Sequence, residues 1–383
     1  EMVEKDYGKY PPVMTNILVK KIYYDTVKNM DKDQYLKEQK LEQVKSFPFQ
    51  LPGMADEDDF FSTFDIHPHD MKFSVTIPNG QIFDRMLNKT SSHTNMSSIP
   101  GKSIRLLVTE TTTNTIVGFI RLGSPVINSK PRNDFLGRPL ATTDLKEMGR
   151  FNNSAIMGFV IVPTQPFGYN YLGGKLLAAI CCSHHVRNLL NNKYDTNICL
   201  FETTSLYGSS KSSSQYDGMK PYLRFKGLTD SNFLPLLHGD AFKQMNKWFT
   251  ERNENTPLVD PEASSRKLKT QQKMVSVIKE SLKSHDTNLY EKFGKFVNKT
   301  RDLTERKRFY ISDYGYDNVP QYIKGETDTL NKSVHHYDKF ALENTIKWWQ
   351  KIAGKRYDKL KQGATLRNEL EIWHQDAEIQ IIR

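Results

Sequence analysis

Residues 155–190 read AIMGFVIVP-TQPFGYNYLGG-KLLAAICCSHHVRNLL, and this stretch decides the fold that we predict for the chain. Its first nine residues are apolar and rich in β-branched side chains, which is typical of a strand buried on both faces of a sheet. The segment 164–174 contains three glycines and predicts a loop. From Lys175 onward the apolar residues recur at helical spacing. The order strand, glycine-containing loop and helix predicts an intracellular α/β domain.

Further strands are predicted on both sides of this stretch. Residues 104–109 and 116–122 are separated by a polar turn and predict an antiparallel hairpin. Residues 198–203 (ICLFET) predict a second buried strand, which a helix would connect to the first one. We therefore predict the α/β (α+β) class, with a mixed sheet, flanking helices, an N-terminal arm and a helical C-terminal region.

The chain is predicted to have three parts, namely an N-terminal arm over 1–60, an α/β domain over 61–239 and a basic helical region over 240–383. The net charge is +10, and basic residues exceed acidic ones most clearly after residue 240. Such a balance favours a polyanionic partner, with DNA preferred, although solvated helix faces would also explain it. The candidate nucleic-acid contacts are Lys211, Arg306, Lys307, Arg308, Lys355 and Arg356.

The composition argues against several other classes of protein. No apolar run is long enough to cross a membrane, and the opening residues Glu1-Met2-Val3-Glu4 lead into no apolar stretch, so we expect neither a membrane span nor a secretory signal. Cys181, Cys182 and Cys199 have neither zinc nor disulfide spacing, which favours a reducing, cytoplasmic compartment. The segment 65–70 (DIHPHD) has metal-ligand residue types, but without a matching distant set we predict no metal.

The loop 164–174 is the candidate site for a phosphate-bearing donor such as acyl-CoA. A loop after a parallel strand lies at the carboxyl edge of the sheet, where glycines let backbone N–H groups approach a ligand. The N-terminus of the following helix adds partial positive charge. The alternative is a tight structural turn that binds nothing. The candidate donor-binding residues are Val162, Gln165, Gly168, Gly173, Gly174 and Lys175.

Four residues near this loop are candidates for catalysis. Glu202 ends the strand 198–203, so burial would raise the pKa of its carboxyl and suit it to act as a general base. Tyr216 and Tyr222 are candidates for the general acid, and Asp217 could orient a substrate amine. Each of these side chains could instead be structural, with Glu202 hydrogen-bonded to a loop and the tyrosines packed in a core.

Residues 100–230 resemble the GNAT acyltransferase fold. Residues 115–122 (TIVGFIRL) are similar to its central hairpin strand, and 155–163 to its fourth strand. Gln165 and Gly168 stand in the places of the Gln/Arg-x-x-Gly opening of its pyrophosphate loop. Residues 221–228 (PYLRFKGL) resemble its closing segment. This resemblance implies acyl transfer to an amine.

A second resemblance is to the DruA-like family, named for the Druantia anti-phage system and also found in phages and beside transposases. It rests on the segment 133–137 (NDFLG), the pair Asn152-Asn153, the run 159–163 (FVIVP), the pair Glu202-Thr203, and Tyr216. It implies a phage, phage-defence or mobile-element context more than a reaction.

Three functions are therefore compatible with the sequence. The first is nucleic-acid-directed group transfer, including modification of a DNA base amine, in a phage or phage-defence setting. The second is a non-catalytic DNA-binding or assembly protein on the same fold. The third is an acyl-CoA N-acyltransferase that acts on a protein or a small amine. Protein partners are compatible with all three, and the oligomeric state is left open.

Overall fold

The computed structural model describes residues 32–45, 57–92, 101–205, 207, 213–229, 239–262, 266–301 and 307–374. The chain divides into two compact units. One unit combines Phe47–Thr229 with Lys307–Arg383 and contains the sheet, and we call it the sheet unit. The other combines Glu1–Ser46 with Asp230–Arg306, and we call it the helical unit.

The sheet unit is built on a seven-stranded mixed sheet with the order β1-β2-β3-β4-β5-β7-β6. All neighbouring strands are antiparallel except β4 and β5, which are parallel. The mixed α/β class is thus confirmed. The strands are β1 (Phe73–Thr76), β2 (Ser103–Glu110), β3 (Thr115–Gly123), β4 (Ala155–Pro163), β5 (Leu200–Ser205), β6 (Arg224–Leu228) and β7 (Arg308–Ser312).

The α-helices of the described residues fall in both units. Those of the helical unit are α1, α8, α9 and α10, and the rest belong to the sheet unit. They are α1 (Lys32–Lys45), α2 (Gly80–Thr90), α3 (Lys130–Leu136), α4 (Leu145–Ser154), α5 (Phe167–Tyr171), α6 (Gly173–Cys181), α7 (His184–Tyr194), α8 (Gly239–Arg252), α9 (Arg266–His285), α10 (Thr287–Arg301), α11 (Val319–Lys324) and α12 (Leu342–Gln362).

The two parallel strands pair only along part of their length. Residues 155–158 of β4 pair with 200–203 of β5, whereas the end of β5 pairs with β7 alone. The second half of β4 keeps only its partner β3. The carboxyl ends of β4 and β5 therefore have no hydrogen-bonded ladder between them, and this opening places the site described below.

The helix that follows β4 packs against the sheet through an apolar surface. Leu176, Leu177, Ala178 and Ile180 of α6 are fully buried in the main core. Gly118 in β3 permits this packing, because a Cβ at that position would lie 2.5 Å from a methyl carbon of Leu177. This close approach fixes where α6 begins, and hence the geometry of the segment that precedes it.

The helical unit has an apolar core of its own. Phe249 of α8, Met274 and Ile278 of α9, and Val297 of α10 are buried in it. The charged residues of α9 and α10 surround this core, as expected for amphipathic helices. Within the region 240–383, which was predicted to be helical, residues 266–285 and 287–301 do form helices.

Several local predictions differ from the structure. The segment 164–174 is helical at 167–171, where α5 forms, rather than an open glycine loop. The predicted helix 175–190 is two helices, because the Ser183 side chain caps α7 by accepting a hydrogen bond from the Val186 N–H. Arg308–Ser312 is a strand that pairs with both β5 and β6, although it lies in the region 240–383 that was predicted to be helical.

The division into units also differs from the predicted arm, domain and tail. The described part of the predicted arm includes α1, which belongs with α8, α9 and α10. The region 240–383 is not one basic tail, because its part after Lys307 returns to the sheet unit. The physical reason is that β7 pairs between β5 and β6, which joins this part of the chain to the sheet. The prediction of a helical region did not include such a strand.

Candidate functional site

A cavity of about 690 Å³ opens beside the carboxyl end of β4 in the sheet unit. That volume is in the range of sites for small molecules and cofactors. Ile161, Val162 and Pro163 of β4 line it on one side, and Ser205 contributes from the end of β5. The cavity thus occupies the opening between the two parallel strands.

Five of the six predicted donor-binding residues line this cavity, namely Val162, Gln165, Gly168, Gly174 and Lys175. We call these five residues the donor side. They lie together because β4, α5 and the first turn of α6 follow one another without a long connection. The Gln165 side chain caps the turn by accepting a hydrogen bond from the Tyr169 N–H at 3.0 Å.

Gly173, the sixth predicted residue, has a packing role instead. A Cβ at Gly173 would lie 2.8–2.9 Å from Phe167, from Pro163 and from the backbone of Gly168. Only glycine fits where the chain turns from α5 into α6. Leu172, which joins the two helices, adopts a left-handed conformation with φ 52°.

Lys175 is the cation of the donor side. Its Nζ donates to the carbonyl oxygen of Gln215 at 2.9 Å and to that of Asp217. Burial lowers the pKa of Lys175, while the charge of Asp217 acts in the opposite direction. Two of the three N–H donors are thus engaged by the segment 215–217, and an anion in the cavity could take the third.

Asp217 lines the cavity and belongs to a polar network with β7. Its Oδ1 accepts a hydrogen bond from the Tyr310 hydroxyl at 2.6 Å and pairs with Arg308 at 3.3 Å. Its Oδ2 accepts from the Ser214 N–H at 3.1 Å. The guanidinium of Arg308 also stacks 3.7 Å from the ring centroid of Phe225. The network fixes the position of the Asp217 carboxylate at the cavity.

Other lining residues are mostly polar. Tyr207 and Tyr169 present aromatic rings, and Arg356 of α12 adds a second cation. Burial raises the pKa of Tyr207 to about 12, so its phenol stays protonated at neutral pH. The lining hydroxyl residues are Thr90, Ser91, Ser92, Ser205, Ser213 and Ser214.

The structure does not bring Glu202 to the cavity. Glu202 and Arg132 have no exposed side-chain surface, and they pair through Nε–Oε2 at 2.9 Å and NH2–Oε1 at 2.6 Å. The guanidinium also donates to the carbonyl oxygens of Val126 and Ile127. Burial raises the pKa of Glu202, and its hydrogen bonds to Arg132 oppose that shift. The Glu202 carboxylate is therefore placed to stabilise the fold through its buried ion pair with Arg132.

Tyr216 and Tyr222 also lie away from the cavity. Tyr216 is buried with its ring edge-on to Tyr310 at 5.4 Å, and burial raises the pKa of its phenol. The Tyr222 hydroxyl donates to the carbonyl oxygen of Lys339 at 3.1 Å. Burial raises the pKa of Tyr222 to about 12. Of the four predicted catalytic residues, Asp217 alone lines the cavity.

The predicted nucleic-acid contacts are not one surface. Lys211 and Arg306 lie outside the described residues. Lys307 pairs through its backbone with Thr229 beside β6 and β7, and Lys355 is exposed on α12. Arg308 reaches the site through Asp217, and Arg356 lines the cavity directly.

In the segment 65–70, which has metal-ligand residue types, the two histidines lie next to each other. The rings of His67 and His69 stack at 4.8 Å, and His67 Nε2 lies 3.3 Å from a carboxylate oxygen of Asp358. Within the described ranges, no group of three or more His, Cys, Asp or Glu side chains is placed to hold a metal ion. The three cysteines are buried, as small apolar side chains would be.

Sequence reasoning did not find several cavity residues. Thr90, Ser91 and Ser92 end α2, far from the donor side in sequence, and only the packing of α2 brings them there. Tyr169 lies inside the predicted loop and could have been singled out for its aromatic ring. Tyr207 comes two residues after the end of β5, and the position of that strand brings it to the cavity.

One part of the chain is similar to a known protein family. The family model described as Druantia protein DruA matches residues 67–211. This segment is similar to DruA. The match runs from β1 through the donor side to Tyr207, and it leaves out Asp217, β6, β7 and α12.

No curated protein and no solved structure matches the chain. The structure does, however, connect two of the segments that carry the DruA resemblance. Arg132, directly before the segment 133–137, forms the buried ion pair with Glu202 of the Glu202-Thr203 pair. Separately, no helix in the described part of the chain is long and apolar enough to span a membrane.

Proposed function

We propose that the sheet unit is a GNAT-like group-transfer domain of an anti-phage system, which takes a phosphate-bearing acyl donor and acts on an amine of a nucleic acid. The observation that carries the proposal is the convergence of five predicted donor-binding residues on the wall of one cavity with Asp217. The anti-phage context rests on the DruA match.

The donor side suits a diphosphate for electrostatic reasons. Helix α6 begins at Gly173 without a side-chain cap, so no capping side chain offsets the partial positive charge of its N-terminus, while the Lys175 N–H donates to the carbonyl oxygen of Leu172. The amide oxygen of Gln215 lies against Gly174, where a Cβ would be. An acceptor oxygen is thus accommodated at this helix end, and a phosphate oxygen that displaced it would also meet Lys175.

Asp217 and Tyr207 supply the proton transfers in this proposal. The acceptor nitrogen bonds to the acyl carbon of a thioester donor, and the bond from that carbon to sulfur breaks. Asp217 takes the proton that the nitrogen loses, and Tyr207 gives a proton to the leaving sulfur. The Asp217 proton then returns to the Tyr207 oxygen, which balances the step. Asp217 replaces Glu202 as the proposed base, because Glu202 is sealed against Arg132.

A second candidate is a binding protein that carries out no chemistry. Asp217 is the only acidic side chain among the described lining residues, and it already forms an ion pair with Arg308 and accepts a hydrogen bond from Tyr310. These contacts favour the binding protein. Both of these contacts engage Oδ1, so the carboxylate is suited to holding the segment 215–217 in place. In this candidate the cavity binds a ligand without transforming it, and the protein acts in DNA binding or in assembly.

Calorimetric titration with acetyl-CoA tests the donor assignment. Wild-type protein is compared with Lys175→Met and with Lys146→Met, which removes an equal charge from an exposed position on α4. We expect binding that Lys175→Met weakens about tenfold or more, as for the loss of one charge-assisted contact, and that Lys146→Met leaves unchanged. Equal affinities in all three proteins would contradict the assignment.

Two further measurements separate the candidates. Transfer of a labelled acetyl group to DNA is expected with wild-type protein and is expected to be lost in Asp217→Asn. DNA binding with a steep salt dependence, but without acetyl-CoA binding, would favour the binding protein. Tight acetyl-CoA binding without DNA affinity would favour an acyltransferase that acts on a protein or a small amine.

A further inference from the structure

Tyr169 of α5 lies against two guanidinium groups, one of which lines the cavity while the other, that of Arg367, does not. The guanidinium carbon of Arg367 lies 3.7 Å from the ring centroid of Tyr169, and that of Arg356 lies 4.7 Å from the same centroid. Tyr169 and Arg356 both line the cavity. The two arginines come from α12 and the segment after it, outside the stretch that matches the DruA family.

The surrounding structure holds these three side chains in place. Asn170, which is fully buried, pairs with the backbone of Arg367 in both directions, at 2.7 Å and 3.0 Å. Arg356 Nε donates to the carbonyl oxygen of Tyr169 at 3.3 Å. Trp349 anchors α12 by donating to the carbonyl oxygen of Tyr171 at 2.9 Å. The cations are therefore positioned before any ligand arrives.

Neither Arg356 nor Arg367 forms an ion pair within 4.0 Å in the part of the chain that the structure describes. Burial raises the pKa of the Glu371 carboxyl, and the charge of Arg367 lowers it by a smaller amount. Two like charges on one ring repel each other, and guanidinium groups suit planar binding of phosphate oxygens. With its Nε engaged, Arg356 retains both terminal nitrogens as donors.

We infer that Arg356 and Arg367, stacked on Tyr169, bind a second phosphate of the ligand, separate from the phosphates at Gly174 and Lys175. The inference rests on the proposed function for the first of these positions. It assigns the cavity to ligands that carry two separated phosphate groups. Such a ligand is either a nucleotide-based donor with a phosphate at a second position or successive phosphates of a single-stranded nucleic acid.

The test uses two probes that differ by one phosphate, coenzyme A and its 3′-dephospho form. A short single-stranded oligonucleotide forms a second arm, which distinguishes the two sources of phosphate. The variants are Arg356→Gln and Arg367→Gln, each in the full chain. The matched controls are Lys351→Gln and Lys359→Gln, which remove the same charge from exposed positions on α12. Thermal unfolding checks that each variant folds, and Arg367 is exposed enough to be replaced safely.

We expect wild-type protein to prefer the probe with the second phosphate by about tenfold, or to bind the oligonucleotide with a salt slope that both arginine variants reduce. The lysine controls should keep the wild-type values. Dephospho-coenzyme A should bind wild-type and arginine variants equally, because it reports on the first position alone.

The outcomes separate this inference from the proposed function. If dephospho-coenzyme A binds through Lys175 and neither arginine variant changes any affinity, the second position is refuted and the donor site stands. If the oligonucleotide binds through the arginines and neither form of coenzyme A binds, the second position stands and the acyl-donor proposal fails. If none of the probes binds, both are refuted.

Discussion

Arg132 and Glu202 form the most deeply buried ion pair that the structure describes, with no exposed surface on either side chain. Replacing Glu202 by Gln leaves the guanidinium charge buried without its counter-charge. We expect the free energy of unfolding to fall by about 3–5 kcal/mol, as measured by urea denaturation. Acetyl-CoA affinity of the folded variant should be unchanged, since Glu202 does not line the cavity.

The matched control for this substitution is Asp134→Asn. Asp134 pairs with Lys130 at 2.8 Å, but both side chains are mostly exposed. Such a pair contributes about 0–1 kcal/mol. Equal losses of stability in the two variants would refute the structural role of the buried pair. Loss of ligand affinity in a stable Glu202→Gln variant would instead restore its assignment to the site.

The pH dependence of donor binding is set by Lys175. Burial lowers its pKa in the free protein, and only the ammonium form attracts phosphate. Affinity for acetyl-CoA should therefore begin to fall at a lower pH than for an exposed lysine, whose pKa is about 10.4. Titrations at rising alkaline pH should show this loss in wild-type protein. Lys175→Arg, which stays charged, should be nearly flat, and parallel curves for the two proteins would contradict the assignment.

Residues of the site could be predicted where they are neighbours in the sequence. Gln165, Gly168, Gly174 and Lys175 lie in one short segment after a recognisable strand, so local pattern was enough. Arg356 was predicted as a nucleic-acid contact, and its place in the cavity depends on how α12 packs. The burial of Glu202 against Arg132 joins residues 70 positions apart, which local pattern does not encode.

At the scale of elements, the turn from α5 into α6 determines the shape of the donor side. Gly173→Ala would place a Cβ 2.9 Å from the Gly168 backbone and against two core side chains. These neighbours cannot move as the end of a flexible side chain can. We expect a loss of about 1–3 kcal/mol of unfolding free energy, typical of overpacking, together with weaker acetyl-CoA binding.

Gly149→Ala in α4 is the control for that prediction. A Cβ there meets nothing within 4 Å, and alanine stabilises a helix relative to glycine by up to about 1 kcal/mol. Chemical denaturation of both variants gives the comparison. If Gly173→Ala were as stable as Gly149→Ala, the turn would have room that the structure does not show.

The elements that the sequence predicted best are those with long, unambiguous patterns. The hairpin of β2 and β3 and the strand Ala155–Pro163 are confirmed, because each has a sustained apolar pattern. Strand β7 was missed because its five residues lie beside a strongly basic helical segment. Its partners β5 and β6 are distant in sequence, so no local signal specifies the pairing.

At the scale of the whole molecule, the cavity is assembled from both sides of an insertion. The helical unit interrupts the sheet unit between Thr229 and Lys307, and Arg356 comes from the part after the interruption. The DruA match covers only residues 67–211. A fragment limited to residues 67–211 would therefore lack Asp217 and Arg356, which both line the cavity.

A crystal structure of the full chain with bound acetyl-CoA tests the central claim most directly. The account predicts the diphosphate at Gly174 and Lys175, at the start of α6, with the acyl group directed toward Asp217 and Tyr207. A diphosphate bound elsewhere on the sheet unit, with the cavity beside β4 left empty, would contradict it.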